Sequence, residues 1–429
     1  MRAAEGASTL PIEVHARGEQ SLGMEPVQFL RDYWQKRPLL VRGAIAAFQD
    51  PLDPDDLAGL ACEELALARI VERSVHDSRA RRKRDPRVTL SVRYGPFAEA
   101  DFARLPKTGW TLLVQDVDKW DADVATLLDR FAFLPRWRID DVMVSYAERD
   151  GSVGPHVDQY DVFLLQGLGR RRWRIDTRSC TANAADPHAS AGANPAHPVD
   201  GRLALLRHFI PTHEWILETG DMLYLPPAIA HHGVALAPCM TYSIGMRAPA
   251  QSELLLDFAA EFAETMPETL RLADPDLMPT RNDGEIDEAT MTRVLQAMPW
   301  LRSGTHGQER LRRWFGRFIT RYRSAQVAVR RLAALTDAAF EQLLHRNALL
   351  RRNPWSRFAW ARAGRGAVLF VAGEEYPCSS RLARIACAQT EFACTTVAPP
   401  RDRETLRKLI DAGHLVALRA NLPLRRRKS

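Results

Sequence analysis

The chain has 429 residues, with 59 Lys and Arg against 53 Asp and Glu, so its formal net charge is +6. At about 150 residues per domain this length predicts two to four domains, and so small a charge excess argues against a protein that coats nucleic acid. Hydrophobic residues make up 46% and charged residues 26%, a balance that excludes a mostly disordered or fibrous chain.

The sequence carries no sign of membrane insertion or export. No apolar run approaches the roughly 18 residues that a transmembrane helix needs, and residues 1–20 lack the apolar centre of a signal peptide. The six cysteines form no C-x-x-C pair, which favours free thiols in a reducing compartment over disulfides or a zinc site. We therefore expect a cytoplasmic protein whose residues 1–20 form a flexible segment.

Residues 21–250 begin with a helix and continue with many short strands. The helix is indicated by an apolar stripe that consists of Val27, Phe29, Leu30, Tyr33 and Trp34, and a strand is predicted after it at 38–41. Further strands are predicted at 111–114, 141–146, 161–165, 171–175 and 222–225. Such a series favours a sandwich or a barrel. The stretches 79–87 and 177–198 are interpreted as surface loops.

Residues 251–330 change to a helical period. Their clearest apolar stripe consists of Leu311, Trp314, Phe315, Phe318, Ile319 and Tyr322, with arginines on the other face. So wide an aromatic stripe must be buried. We consider two partners for it, the β domain and a second subunit.

Residues 331–420 combine short helices and strands. Helices are predicted at 337–344, 379–388 and 403–411, and strands at 367–371 and 414–418. This order fits a small winged-helix arrangement. The basic residues at 421–429 are interpreted as a solvated tail.

The segment Gly154-Pro-His-Val-Asp158 carries the strongest chemical signal. On a strand, His156 and Asp158 point to the same face and can converge on one metal ion. One imidazole and one carboxylate are two of the three ligands in the 2-His-1-carboxylate triad of non-haem Fe(II) oxygenases. A His-x-Asp pair is common by chance, so the prediction depends on a third ligand downstream.

A histidine on another strand is the expected third ligand. Residues 220–227 have the pattern of a turn, a strand and a stop, and His231 and His232 follow them. Because adjacent strand residues face opposite ways, only one of the two is expected to reach the ion. We predict His231, with His232 as the alternative. His208 and His213 are interpreted as packing or surface residues.

The segment after the first ligand strand predicts an inward-pointing cation. Residues 166–169 form a hairpin turn, and the returning strand alternates so that Arg171 shares the face of Trp173 and Ile175. A buried guanidinium needs a partner. A dicarboxylate cosubstrate that extends from the iron is one candidate, and a structural ion pair with a protein carboxylate is the other.

Four motifs are long enough to be specific, at residues 29–41, 154–163, 169–173 and 220–227. They resemble the JmjC-type ribosomal oxygenases, in particular their bacterial YcfD-like branch. The resemblance implies an α+β fold with a double-stranded β-helix barrel of the JmjC and cupin type at 21–250, a helical dimerisation region at 251–330 and a winged-helix-like domain at 331–420.

The resemblance also implies a chemistry. It implies Fe(II) and 2-oxoglutarate as cofactor and cosubstrate, and hydroxylation of an arginine side-chain carbon in a large-subunit ribosomal protein by a homodimer. The metal ligands and catalytic residues would be His156, Asp158 and His231. Arg171 would bind 2-oxoglutarate, and Ser145 would line the same pocket. His232 and the long stretch 177–198 depart from the family pattern, which puts the rim of the pocket in doubt.

Three other readings of the sequence stay open. The same chemistry could act on a ribosomal histidine or on a methylated lysine. A non-catalytic cupin scaffold that binds nucleic acid belongs to a different class; the second helix of the C-terminal module, with Arg381 and Arg384, is not basic enough to favour it. Near the expected mouth of the site, Asp116, Asp118 and Glu148 are either receptors for a cationic substrate or ordinary surface carboxylates.

Overall fold

The computed structural model of the protein describes residues 10–18, 20–76, 87–178, 205–206, 208–267, 269, 271–273, 275, 288–297, 305–322, 326–396 and 400–418. The chain divides into two compact units, Met1–Ala248 and Pro249–Ser429. Among the described residues, no helix has the length and apolarity that a membrane crossing needs. Residues 1–9 and 19, most of the predicted loops at 79–87 and 177–198 and the whole of the predicted tail lie outside the described residues.

The first unit is built mainly of strands. Its strands are β1 Glu13–His15, β2 Leu39–Arg42, β3 Ala68–His76, β4 Arg87–Tyr94, β5 Trp110–Val114, β6 Ile139–Ala147, β7 His156–Val157, β8 Val162–Gln166, β9 Arg171–Asp176, β10 His213–Leu217, β11 Met222–Leu225, β12 Ala230–Ala235 and β13 Cys239–Met246. Its helices are α1 Pro26–Asp32, α2 Pro54–Cys62, α3 Glu99–Ala103, α4 Val117–Trp120 and α5 Ala122–Thr126, with short 3-10 turns at Leu127–Phe131 and Arg136–Arg138.

These strands form two sheets that face each other. The larger sheet has nine strands in the order β1-β2-β11-β8-β13-β6-β5-β3-β4, and the smaller has four in the order β10-β9-β12-β7. Strand β8 is buried on both faces: Val162 and Leu164 pack with Trp173 and Ile175 of the smaller sheet, whereas Phe163 and Leu165 belong to the larger core. Because neighbouring strand residues point to opposite faces, a continuous apolar strand is what a sheet covered on both sides requires.

The predicted first helix is shorter than its apolar stripe suggests. Helix α1 starts with Pro26 in its first turn, where the missing N–H of proline costs nothing. Phe29 and Tyr33 are fully buried, and Phe29 makes an edge contact with Tyr224 at 5.0 Å between ring centroids. Val27 is 74% exposed, so its assignment to the buried stripe is wrong. It lies in the first turn, on the side away from the sheet.

The second unit contains two small sheets and several helices. Its helices are α6 Gln251–Glu264, α7 Glu288–Ala297, α8 Thr305–Arg321, α9 Asp337–His345, α10 Ser380–Ala388 and α11 Arg403–Asp411. Its strands are β14 Leu349–Arg352, β15 Phe358–Ala363, β16 Gly366–Val371, β17 Glu374–Cys378, β18 Glu391–Ala393 and β19 Leu415–Ala417. The sheets have three strands each, in the orders β18-β14-β19 and β15-β16-β17.

The aromatic stripe of α8 packs inside this second unit. The Trp314 ring lies edge-on to Phe258 of α6 at 5.1 Å between centroids, and its indole N–H donates to Asp257 at 2.9 Å. Phe318 is 3% exposed, so it belongs to a core rather than to a subunit interface. Leu311, which the sequence stripe includes, is 47% exposed and lies outside that core.

Candidate metal centre

His156, Asp158 and His231 come together at one edge of the smaller sheet. Strand β7 pairs with β12 so that His156 lies directly opposite His231, with ring centroids 4.2 Å apart. The Asp158 carboxylate lies 3.8 Å from His156 Nε2 and 3.6 Å from His231 Nε2. One donor atom from each residue lies within 4.8 Å of the others, which is close enough for the three to share one metal ion.

Backbone carbonyls orient both imidazoles. His156 Nδ1 is 3.0 Å from the carbonyl of Gly154, and His231 Nδ1 is 2.9 Å from that of Ile229. Since a carbonyl only accepts, each Nδ1 carries the proton and each Nε2 keeps its lone pair for a metal. Burial lowers the pKa of His231 to about 4, which keeps this ring neutral at pH 7.

His232 points away from the cluster and bonds to Ser152. The Ser152 hydroxyl donates to the Gly233 carbonyl at 2.7 Å, so it must accept from His232 Nε2, which lies 3.0 Å away. The same hydroxyl accepts the Gly154 N–H at 3.0 Å. Ser152 thus ties the strand that carries His231 to the turn that precedes His156, and it occupies Nε2 of His232. Of the two adjacent histidines, His231 is the one beside His156 and Asp158.

Arg171 is buried on the inner face of the smaller sheet, with a side-chain exposure of 3%. Its guanidinium donates to the Ser145 hydroxyl of the facing sheet at 3.3 Å, and its Nε–H has no partner. Among the residues that the structure describes, no carboxylate pairs with it, so the alternative of a structural ion pair finds no support. Burial lowers the pKa of Arg171, as expected for a charge with no counter-charge.

Gly233 makes room for this guanidinium. It lies opposite Trp173 on the neighbouring strand, and a Cβ at this position would be 2.8 Å from both Arg171 Nε and the Trp173 ring. The Arg171 guanidinium lies over the Trp173 ring at 5.2 Å from its centroid. In the sequence, Trp173 marks only the buried face of the strand, and neither Gly233 nor Ser152 is predicted as a site residue. The position of Gly233, two residues after the ligand on the same strand face, was the available signal.

The three acidic residues expected near the mouth of the site, Asp116, Asp118 and Glu148, all have partners within the protein. Asp118 is buried, accepts the Val142 N–H at 2.8 Å and lies 3.4 Å from the Lys119 ammonium, which also pairs with Asp116. The interpretation of Asp116 and Asp118 as surface carboxylates is therefore wrong, because both are buried beside Lys119. Glu148 accepts from the Tyr146 hydroxyl at 2.6 Å.

His208 and His213, for which the sequence predicts packing or surface roles, have such roles in the structure. His213 begins β10 and its ring stacks on Trp215 at 5.5 Å between centroids, whereas His208 is exposed.

The chemistry of the donor set fits an octahedral Fe(II) that keeps open positions. Two neutral imidazoles and one carboxylate on neighbouring segments are the protein ligands of a facial triad. The unpartnered Nε–H of Arg171 fits an anionic group, because a buried donor without an acceptor costs free energy that a bound carboxylate would recover. The folded chain therefore contains both the three side chains that fit a metal ion and a buried cation that fits an anionic cosubstrate.

Comparison with known proteins agrees with this geometry. Residues 126–254 match the JmjC domain family, and residues 301–416 match the ROXA-like winged helix. The chain is 36% identical over 305 residues to the ribosomal protein uL16 3-hydroxylase of Escherichia coli, covering 71% of this chain and 74% of that protein. It is also 36% identical over 256 residues to a probable ribosomal oxygenase of Haemophilus influenzae, covering 59% of this chain and 56% of the relative.

A solved structure of Escherichia coli YcfD with cobalt and 2-oxoglutarate superimposes with a TM-score of 0.74 at 29% identity, covering 92% of this chain and 98% of that one. These matches confirm the predicted α+β fold class, with its cupin-like barrel and winged-helix domain. The chain belongs to the JmjC-type ribosomal oxygenases, a family of Fe(II)- and 2-oxoglutarate-dependent enzymes.

Proposed function

We propose that this oxygenase hydroxylates the β-carbon of an arginine side chain in a large-subunit ribosomal protein, the counterpart of uL16. The similarity to the Escherichia coli uL16 3-hydroxylase supports the choice of target. The observation that carries the proposal is the neighbourhood of three metal-binding donors and a buried guanidinium that lacks a carboxylate. A substrate of this kind would place the enzyme in the cytoplasm.

In this proposal His156, Asp158 and His231 hold the iron, and Arg171 holds the far carboxylate of 2-oxoglutarate. When bound, the iron and its cosubstrate supply the oxidation: one oxygen atom of O2 enters the C–H bond of the target and the other enters succinate as CO2 is released. The Gly154 and Ile229 carbonyls keep the two imidazoles in the tautomer that presents Nε2. Ser145 would line the same pocket and orient Arg171, because its hydroxyl accepts a hydrogen bond from the guanidinium.

The division of the chain is part of the proposal. Residues 21–250 would form the catalytic domain, residues 251–330 a helical region through which two copies associate, and residues 331–420 the winged-helix-like domain. The chain divides into its two compact units between Ala248 and Pro249, two residues before the boundary proposed at residue 250.

The experiment is 2-oxoglutarate-dependent oxidation of recombinant uL16, followed by mass spectrometry of the intact target and its fragments. We expect one added oxygen on an arginine, formed with stoichiometric succinate, and loss of at least 99% of turnover in Asp158→Ala, because removal of one of three protein ligands disrupts the metal site. Glu214→Ala is the matched control: it removes a carboxylate on the outer surface of the same sheet, where Glu214 pairs with Arg174 at 2.6 Å.

Two outcomes would contradict the proposal. Full turnover by Asp158→Ala would exclude the assigned metal centre. An added oxygen on histidine, or loss of a methyl group from lysine, would keep the oxygenase chemistry but replace the proposed target residue.

A further inference from the structure

The second unit contains a cationic cavity that the oxygenase chemistry does not use. It has a volume of about 250 Å³ and opens between the β15–β16 hairpin and the first turn of α10. Its lining includes Trp360, Arg362, Arg365, Gly366, Ser380 and Arg384, and it contains no carboxylate. Three guanidinium groups and one indole ring therefore surround one opening.

The hairpin brings the indole and one guanidinium to the same side. Trp360 and Arg362 are two residues apart on β15, so they share a face of the strand. Phe358, two residues earlier on that face, belongs to the core of this unit, and Trp360 packs against the same core from its half-buried position. The face thus runs from buried core at Phe358 to an exposed guanidinium at the tip of the hairpin.

Helix α10 supplies the opposite wall. The Ser380 hydroxyl donates to the Gly366 carbonyl at 3.2 Å, which joins the start of the helix to the hairpin. One turn later, Arg384 donates its Nε–H to the Ser380 carbonyl at 3.1 Å. This bond holds the side chain back over the first turn of the helix and leaves its Nη groups for a ligand. The buried Asp402 carboxylate accepts the Ser379 N–H at this end of the helix at 2.7 Å, so the positive charge of this wall comes from Arg384 and not from the helix dipole.

The three guanidinium groups gather positive charge without a counter-charge. Arg362, Arg365 and Arg384 are exposed, and none of them takes part in an ion pair within the part of the chain that the structure describes. Like charges held together repel, and an anion between them would offset that repulsion. The planar forks of guanidinium groups match the oxygens of phosphate in pairs.

We propose that this cavity binds a single-stranded nucleic-acid segment, with its phosphates on the three arginines and one base against Trp360. An aromatic ring beside a cationic groove is the combination that single-strand binding requires, whereas an acidic peptide would not use the indole face. The sequence argues against nucleic-acid binding through its small net charge of +6 and the weakly basic α10. The fold adds Arg362 and Arg365 from the hairpin, which are separated from α10 in the sequence.

The test is fluorescence anisotropy of the full chain with a labelled 12-nucleotide RNA and a DNA of the same sequence, across a salt series. The probe variant replaces all three cavity arginines by glutamine: Arg362→Gln, Arg365→Gln and Arg384→Gln. The control variant removes the same charge from exposed arginines elsewhere in the unit: Arg330→Gln, Arg346→Gln and Arg401→Gln. Circular dichroism melting establishes that both variants fold.

We expect the probe variant to lose at least tenfold in affinity at low salt and about 2 units of the slope of log K against log salt, at ~0.7 per phosphate contact on a single strand. The control variant should retain wild-type slope and lose less than threefold. Trp360→Leu should lose roughly fivefold or more through lost stacking, with the slope unchanged. An all-lysine replacement of the three arginines keeps the charge and should lie between wild type and the probe variant.

Three results would overturn the proposal. The control variant could lose as much affinity as the probe variant, which would mean general charge attraction. Labelled polyglutamate could bind as tightly as RNA and depend on the same arginines, which would make the cavity an acidic-peptide site. Inorganic phosphate at millimolar concentration could displace the RNA completely, which would reduce the cavity to a site for a free anion. Each readout is binding, so none depends on the proposed hydroxylation.

Discussion

Arg171 is a buried charge whose ion pair, in our proposal, is completed only by the cosubstrate. Its side chain is 3% exposed, it donates to Ser145, and its Nε–H has no acceptor. Burying a charge without a partner destabilises a protein, whereas a bound carboxylate would complete a bidentate pair. Removal of the Arg171 charge should therefore lower the affinity for 2-oxoglutarate but raise the free energy of unfolding of the protein without ligand.

We predict that Arg171→Gln raises the KM for 2-oxoglutarate at least roughly tenfold, because hydrogen bonds to a charged group contribute about 1.5–3 kcal/mol. The melting temperature without ligand should stay the same or rise, and the increase on adding Mn²⁺ and 2-oxoglutarate should disappear. Arg174→Gln, on the outer face of the same strand, should leave the KM for 2-oxoglutarate and the melting temperatures unchanged. Wild-type affinity for 2-oxoglutarate in Arg171→Gln would contradict the assigned role.

His414 makes the second unit sensitive to acid. It is 8% exposed, and its Nδ1 lies 2.9 Å from the Ser356 hydroxyl. Burial, and then the nearby charge of Arg330, lower the pKa of His414 to about 4. Between pH 6.5 and pH 4, His414 is protonated in the unfolded chain, where its pKa is about 6.5, but stays neutral in the folded chain. The contribution of His414 is therefore complete above pH 6.5 and is lost as the pH falls towards 4.

We predict that the melting temperature of the wild type falls more between pH 7 and pH 5 than that of His414→Gln, which has no proton to take up. Thermal melts of the metal-free protein at a series of pH values measure this difference. His345→Gln is the control, because His345 is exposed and should not change the pH dependence. Parallel pH profiles for His414→Gln and the wild type would contradict the prediction.

At the scale of elements, Gly316 sets how closely α8 approaches the sheet of the second unit. A Cβ at this position would lie 2.4 Å from the Phe370 ring of β16. Gly59 in α2 provides the opposite case, because a Cβ there would meet nothing within 4 Å. The same substitution should therefore change stability in opposite directions at the two sites.

We predict that Gly316→Ala lowers the free energy of unfolding by about 1–3 kcal/mol through overpacking. Gly59→Ala should raise it by about 0.5–1 kcal/mol, because it removes conformational freedom from the unfolded chain and favours the helix. Urea unfolding followed by circular dichroism gives both values. A neutral or stabilising effect of Gly316→Ala would mean that α8 does not approach β16 this closely.

The elements that sequence could predict are those whose side-chain period is undisturbed. The alternation along β9 placed Arg171 on the inner face, and the structure agrees, with residues 171, 173 and 175 buried and 172, 174 and 176 less so. Strand β11 and helix α11 have the predicted bounds. By contrast β14, β15 and β17 were missed, because arginine, alanine, glutamate and proline in them dilute the β-branched signal.

The parts of the site that sequence could not supply depend on contacts distant along the chain. Alternation requires that His231 and His232 face opposite ways, but the pairing of β12 with β7 decides which of them meets His156. The burial of Asp118 beside Lys119 follows from how α4 packs on β6 and has no periodic signature. The need for glycine at position 233 arises because Arg171 and Trp173 of β9 pack directly against it, in the space that a Cβ would occupy.

At the scale of the whole molecule, the proposed dimer needs an apolar surface that the folded chain leaves accessible. Phe315 and Phe318, from the stripe first considered for an interface, are half-buried and buried, so charge there would disrupt the core of the second unit. Helix α6 offers a better candidate. Its Leu255 and Leu256 are 66% and 70% exposed at consecutive positions of the proposed dimerisation region.

We predict that the double substitution Leu255→Glu and Leu256→Glu converts a dimer into a monomer without unfolding it, because both side chains are exposed within one chain and two buried glutamates would each lose hydration at the interface. Sedimentation equilibrium at a series of concentrations measures the mass, and circular dichroism reports on the fold. Leu332→Glu is the matched control, since Leu332 is fully exposed outside the helical region and should leave the mass of the dimer unchanged. A double variant that keeps the dimer mass would exclude Leu255 and Leu256 from the interface, and a monomeric wild type would exclude the dimer itself.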